Sequence, residues 1–398
     1  MRIFSFPCAV IANSIFAALA LLSCALLLWQ WLAAIKFPLH LRAAYPEFAP
    51  AITVLKPLKG CDGTTAASLE SWLKQDYSGP TQFLFGVADA GDPVCKTVEA
   101  LLAKYPRIDA QLVVCGEMLG ANAKVSTLAQ LEKPAKYDLL IISDADVRVP
   151  PDFMVNFVSP FHDEKVALVN CFYRLANPTT VAMQWEAVAI NADFWSQVLQ
   201  SQTLKPLDFA LGATILLRRK PLERIGGFKS LVNCLADDFQ IGNRIAKKNG
   251  LIALCPVVVE CWDAPMDWGQ VWKHQLRWAR TIRVCQPLPY FFSILSNASL
   301  WPLLWVGVSL ATTKTLCAPL TGLVLLLLRM VIAQRLQQRF TPKRKLVSPF
   351  WLAPVKDLLQ VLLWFCAFAG NTVEWRGQKM KLRRDGTLIA KPSQPDSI

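Results

Sequence analysis

LLIISDADVRVPPDF, Leu139–Phe153, decides how the middle of the chain is read. Four apolar residues run into Ser143-Asp144-Ala145-Asp146, and Pro150-Pro151 follows shortly after. A short apolar run bounded by turn residues reads as a buried strand. If the strand continues through the acids, Asp144 and Asp146 share one face, because strand side chains alternate. Two like charges side by side repel, so solvent, an arginine or a bound cation must compensate them.

The same pattern recurs on both sides. AITVLKPLKGCDG reads as a strand ending in Gly and Asp, SLESWLKQDY as a short helix, and TQFLFGVADAGDP as a strand ending in acids. VCKTVEALLAKYP is an amphipathic helix, and AQLVVCG is a further strand. Strands alternating with helices indicate an α/β fold with a parallel sheet covered on both faces. Ligands of such sheets bind beyond the carboxyl ends of the strands. Asp62, Asp89, Asp92, Asp144 and Asp146 all fall at such ends.

A lone D-x-D in a loop is weak evidence, since Asp is common in turns. Acids at successive strand ends would converge on one crevice and suit a hard divalent cation, Mg²⁺ or Mn²⁺. Magnesium typically binds through one or two carboxylates plus substrate phosphates, so a nucleotide diphosphate is the natural third party. Further on, Asp237-Asp238 opens an amphipathic helix, where acids also complement the helix dipole. WGQVWKHQLRWARTIR then carries His274, Arg277, Trp278 and Arg280 on a helix that reads equally as an aromatic and basic membrane anchor.

Of the 398 residues, 54% are hydrophobic, and they are unevenly spread. No charge occurs between Arg2 and Lys36, a run too long for a cleaved signal core and long enough to span a bilayer. A second uncharged stretch covers Val284–Thr313, a third precedes Arg329, and a fourth, Leu346–Val373, is broken by Lys356-Asp357. Three spans and a fourth region, re-entrant or interfacial, are expected. Val181–Leu199 carries Glu186, Asn191 and Asp193, which makes it a poor span; it reads as an interfacial helix at an acceptor entrance or as a helix buried under the sheet.

The charge of +13 lies largely beside these apolar segments, at Lys36, Arg42, Arg335–Lys345 and Arg376–Arg384. That placement favours a membrane surface over nucleic acid and puts the central domain on the cytoplasmic side. Twelve scattered cysteines without a C-x-x-C pair, and three histidines, argue against a zinc site.

The D, D-x-D, D, H-x-x-R-W succession resembles the D, DxD, D, (Q/R)xxRW pattern of membrane-bound, inverting glycosyltransferases. LKPLKGCDG, VADAGDP, LGANAKVSTL, YDLLIISDADVRV, GGFKSLVNCLADDF and NTVEWRG resemble the ceramide glucosyltransferase family in particular, over about Val54–Gly377. Bacterial relatives acting on hopanoid lipids share much of the pattern.

The resemblance implies a GT-A nucleotide-diphospho-sugar transferase domain with a mostly parallel sheet, plus transmembrane helices. The apolar and charged segments set the expected layout: an anchor over 1–47, a cytoplasmic catalytic domain over 48–283, transmembrane or interfacial helices over 284–375, and a basic tail over 376–398. Asp92, with Asp89 beside it, would help hold the nucleotide; Asp144 and Asp146 would hold the metal. Asp238, with Asp237 beside it, would be the base that activates the acceptor. His274, Arg277 and Trp278 fall on the R-W motif, where His replaces Gln or Arg, and Lys124 would approach the phosphates.

The expected activity is transfer of glucose from UDP-glucose to ceramide in a multi-pass protein of a bacterial inner membrane. Transfer of a sugar such as N-acetylglucosamine to a hopanoid or another membrane lipid is the alternative. A third reading, of a different class, is a non-catalytic lipid-binding protein on a decayed transferase fold; retention of every motif acid argues against it.

Overall fold

A computed structural model of the chain describes residues 6–42, 45, 47–312, 316–341, 348–375 and 378–390. Arg2, Lys343-Arg344-Lys345 and Arg376-Gly377 lie outside the described residues. The chain divides into two compact units. One comprises residues 1–37, 178–204 and 265–371; the other comprises 38–177, 205–264 and 372–398. These boundaries differ from the expected layout, since 178–204 and 265–283 group with the apolar helices and the tail groups with the sheet.

The second unit is built on an eight-stranded sheet. Its strands are β1 (Ile52–Leu58), β2 (Thr81–Val87), β3 (Asp109–Val114), β4 (Leu139–Ser143), β5 (Val147–Arg148), β6 (Val166–Leu175), β7 (Thr214–Arg218) and β8 (Leu251–Cys261). They lie in the order β3-β2-β1-β4-β7-β6-β8-β5. The first four are mutually parallel, and β6 runs parallel to β8. β7 is antiparallel to both neighbours, and β5 to β8. β1 and β4 are buried along their whole length, as their nearly unbroken apolar sequences require of strands covered on both faces.

The acids of the quoted stretch do not extend β4. That strand ends at Ser143, and Asp144–Asp146 form the turn that leads into β5. Ser143 pairs with Thr214 at the start of the antiparallel β7, so the residues just before β7 lie alongside the turn. Asp144 N–H donates to the Ala213 carbonyl at 3.0 Å. The same unit ends in a three-stranded antiparallel sheet, β9 (Thr372–Trp375), β10 (Gln378–Leu382) and β11 (Leu388–Ala390).

The first unit is helical. Val10–Lys36 and Cys317–Phe340 are long and apolar enough to cross a membrane. Pro287–Ser296 and Leu300–Thr312, bent by 46°, form a third span if counted as one. Leu352–Phe368 has 17 residues, about 26 Å at 1.5 Å each, short of the ~30 Å hydrocarbon core.

Arg339 donates to the carbonyls of Ala34, Ile35 and Phe37, which bonds the last turn of the first helix to the end of the Cys317–Phe340 helix. At the opposite end of the first helix, Asn13 accepts from Ser309 at 2.6 Å. The Leu300–Thr312 helix therefore runs against the first helix, and Cys317–Phe340 returns alongside it. The Val181–Leu199 stretch forms helices Val181–Val188 and Trp195–Gln202 joined by a π-turn, Ala189–Phe194. It packs among the apolar helices, with Val188 against Ala333, Leu352 and Ala353.

Candidate active site

The turn after β4 and the helix Asp237–Lys247 bring two carboxylates onto one ammonium, with a third, Asp238, beside them. Lys124 Nζ lies 2.8 Å from Asp144 Oδ1 and 3.3 Å from Asp237 Oδ2. Asn122 caps the Lys124 helix by accepting from Val125 N–H, and its amide donates to the Cys234 carbonyl at 2.8 Å. That bond ties the start of the Lys124 helix to the segment leading into Asp237. Burial pulls the Lys124 ammonium toward its neutral form, but Asp144 and Asp237 more than offset this and keep it charged.

Asp238 is directed elsewhere. Its Oδ2 accepts the Gly212 N–H at 2.5 Å and its Oδ1 the Phe239 N–H at 2.7 Å. Two glycines make this approach possible. A Cβ on Gly242 would stand 2.0 Å from the Ala210 nitrogen, so only glycine lets the helix lie against the 209–212 segment. A Cβ on Gly212 would stand 3.2 Å from Asp238 Oδ2 and 3.9 Å from Asp144 Oδ2, so position 212 borders the gap between the two carboxylates. Gly212→Val, whose branches would enter that gap, is expected to lower turnover at this site about 10²-fold with little change in melting temperature.

The D-x-D turn rests on a residue the sequence reading passed over. Lys56, fully buried on β1, donates to Ser143 Oγ at 3.1 Å and to the Asp144 carbonyl at 2.8 Å. Its ammonium lies 4.5 Å from the Trp72 ring. Burial drives the Lys56 ammonium down to about 7, against the pull of Asp146 and Asp144. Asp146 is pushed up to about 7, by burial first and then by Asp144 and Asp263. Asp237 rises to about 6 through burial and Asp238, with Lys124 opposing.

Among the described residues, no group of three or more His, Cys, Asp or Glu side chains is arranged to hold a metal ion. The donor set still fits a hard cation shared with a ligand. Asp144 and Asp146 are oxygen donors, and a carboxylate raised by burial and by neighbouring like charges, as Asp146 is, is a place where a cation gains. Uptake must displace the Asp146 proton. Mn²⁺ affinity in the presence of nucleotide is therefore expected to rise with pH up to about 7 and then level off. Below that it should fall about tenfold per unit, and titration calorimetry of wild type against Asp146→Asn, which should lack the slope, checks this.

Asp92 and Asp89 hold their own loop. Both Asp92 oxygens accept the Gly60 N–H at 3.0 Å, and Oδ1 also accepts from Val94 N–H, the first residue of the helix that follows. Exposed Asp89 closes a turn on Gly91. Asp62 likewise accepts from Thr64 and Thr65 at the start of the next helix.

His274, Arg277 and Trp278 belong to the helical unit, on helix Trp268–Cys285, which opens with a capping box between Asp267 and Gln270. One turn apart, His274 and Trp278 meet edge to face at 4.8 Å. His274 Nδ1 lies 2.7 Å from Oε1 of buried Glu186, which also accepts from Gln275 at 2.8 Å.

A family model described as glycosyl transferase family 21 matches residues 14–388. The chain is similar to ceramide glucosyltransferase 3 of Caenorhabditis elegans, 24% identical over 216 residues, 54% of this chain and 46% of that protein. It is also similar to the ceramide glucosyltransferase of Candida albicans, 33% identical over 123 residues, 28% of this chain and 23% of that one. The chain thus spans less than half the length of these curated relatives. Among solved structures, the mannosyltransferase PcManGT from Pyrobaculum calidifontis, in complex with GDP-Man and Mn²⁺, matches with a TM-score of 0.54 and 22% identity. The match covers 88% of this chain and 99% of that chain, a likeness of fold.

Proposed function

The chain belongs to glycosyl transferase family 21, and from that premise we propose that it transfers glucose from UDP-glucose to the hydroxyl of a membrane lipid, ceramide, with inversion. The observation that carries this reading is the gathering of Asp144, Asp237 and Asp238 around Lys124 and Gly212, beyond the carboxyl ends of the parallel strands. The relatives named ceramide glucosyltransferase support the choice of donor and acceptor.

Asp238 receives the proton of the acceptor hydroxyl as its oxygen bonds the anomeric carbon, and the bond to the diphosphate breaks with the electron pair leaving on UDP. Asp237 holds Lys124, whose ammonium faces the leaving charge. Asp144 and Asp146 would hold a divalent cation, which supplies Lewis-acid stabilisation of the diphosphate when bound. The PcManGT structure, in complex with GDP-Man and Mn²⁺, supports a divalent ion here. The apolar helices keep the acceptor's chains in the bilayer. Basic residues following the first helix support a reading in which the sheet unit is on the cytoplasmic side of a multi-pass protein of a bacterial inner membrane.

Detergent-solubilised protein with Mn²⁺ or Mg²⁺ is offered UDP-glucose, UDP-galactose or UDP-N-acetylglucosamine, with ceramide or a hopanoid polyol, and products are read by mass spectrometry. Glucosylceramide that disappears in Asp144→Ala is the expected result. A glycosylated hopanoid alone would move the acceptor, and absence of both transfer and UDP binding would overturn the enzyme reading.

A further inference from the structure

We infer that the C-terminal β-sheet is a positioning element of the catalytic site, acting through Gly386–Leu388 on the segment that presents Asp237 and Asp238. The inference rests on the function proposed above. Leu388 N–H donates to the Asn233 carbonyl at 2.7 Å, and Leu235 N–H donates to the Gly386 carbonyl at 3.2 Å. Between these bonds, Cys234 and Thr387 form an antiparallel bridge. Residues 233–235 are thus paired, as a short strand, with the turn and start of β11.

The other side of the same segment is held by the loop that starts the Lys124 helix. Asn122 N–H donates to the Val232 carbonyl at 2.7 Å, the Asn122 amide to Cys234, and Ala121 N–H to Asn233 Oδ1 at 2.9 Å. Residues 232–235 are therefore clamped between two partners. Two residues later the chain reaches Asp237, which faces Lys124, and then Asp238, which faces Gly212. Without the β11 side, the segment loses the two backbone bonds that hold it from that edge, and the position of Asp237 and Asp238 relative to Lys124 loses a fixed reference.

The tail is folded for this task. Met380, Leu382 and Leu388 are buried, while Lys379, Lys381 and Arg383 alternate with them outward. Asp385 Oδ1 accepts the Thr387 N–H at 3.0 Å and its hydroxyl at 2.7 Å, which shapes the turn that meets Cys234.

Two full-length variants test this. Leu388→Pro removes the N–H given to Asn233; kcat for sugar transfer is expected to fall about 10²-fold while the donor KM changes less than about twofold. Leu388→Val, which keeps the N–H, should transfer at the wild-type rate. Thr387→Cys exploits native Cys234. Cα atoms of such a non-hydrogen-bonded pair lie about 4.5 Å apart, within disulfide range. Oxidation should join Cys234 to the introduced thiol and leave kcat no lower than in the same variant reduced, an outcome that does not depend on how Leu388→Pro folds.

Wild-type kcat in Leu388→Pro, no crosslink in active protein, or loss of transfer on crosslinking would each overturn the inference. A wild-type chain that transfers no sugar would instead defeat the function proposed above.

Discussion

Asp238→Asn is expected to lower kcat by about 10²–10⁴-fold, the range of a lost general base, with donor KM little changed. The neighbouring acid should behave differently, and the geometry says why. Asp237 is buried and salt-bridged to Lys124, so its oxygens are committed to a cation. Asp238 is half-buried and accepts two backbone N–H groups, which fix the carboxylate without neutralising it. A fixed and reachable carboxylate is what a base requires; a buried one holding an ammonium is suited to orient it.

Asp237→Asn should therefore raise donor KM, by loosening Lys124, as well as lowering kcat. Its pH profile should also lose any inflection near 6, since Asp237 is the group pushed up to about 6. Steady-state kinetics from pH 5 to 8 on both variants decide the assignment. Equal losses of kcat with equal changes in KM would mean that the pair acts as one unit and that no separate base exists.

The motif acids were legible in the sequence because they stand at breaks in apolar periodicity. Asp144 and Asp146 follow LLII, and Asp237-Asp238 precede an amphipathic helix, so chemistry and punctuation coincide there. The family read from these motifs is borne out. Lys56 was illegible for the opposite reason. A lysine between Leu55 and Pro57, not far beyond a basic membrane flank, reads as one more positive charge. Only the register that sets β1 beside β4 reveals it under the D-x-D turn.

The strands β6 and β8 are not legible in the sequence, because a buried apolar run does not state its direction or its partner. The tail misled through its charge. Lys379-Met380-Lys381-Leu382-Arg383 has a clear period of two, but its basic residues suggested a membrane surface. His274 stands where the family pattern has Gln or Arg, and its partner, Glu186, comes 88 residues earlier, a distance at which local spacing carries no signal.

Arg329→Leu is expected to destabilise the helical unit by about 3–5 kcal/mol, the usual result of removing one member of a buried charge pair. The loss should appear as a collapse in folded, detergent-soluble yield. Arg329 is 3% exposed and forms two bidentate pairs. Its Nη1 and Nη2 donate to Asp193 at 3.0 and 2.8 Å, and its Nε and Nη2 donate to Asp357 at 2.8 Å each. Lys356 bonds both acids, and Ser299 donates to Asp357 at 2.6 Å. Two acids and two bases make the cluster neutral, which is the condition for keeping four charges away from water.

Arg329 precedes Phe340 by 11 residues, about 16 Å along the helix, so the cluster lies well inside the bundle and not at its rim. It also explains the polar residues that made Val181–Leu199 a poor span: Asp193 sits in the π-turn and meets Arg329.

Removing Arg329 alone leaves two carboxylates facing one ammonium. Arg329→Leu combined with Asp357→Leu restores a one-to-one balance between Asp193 and Lys356 and should recover much of the yield. A double-mutant cycle on melting temperature in detergent measures the coupling. Additive losses would mean that the four side chains do not act as one cluster, and that shape alone holds the 181–202 segment among the apolar helices.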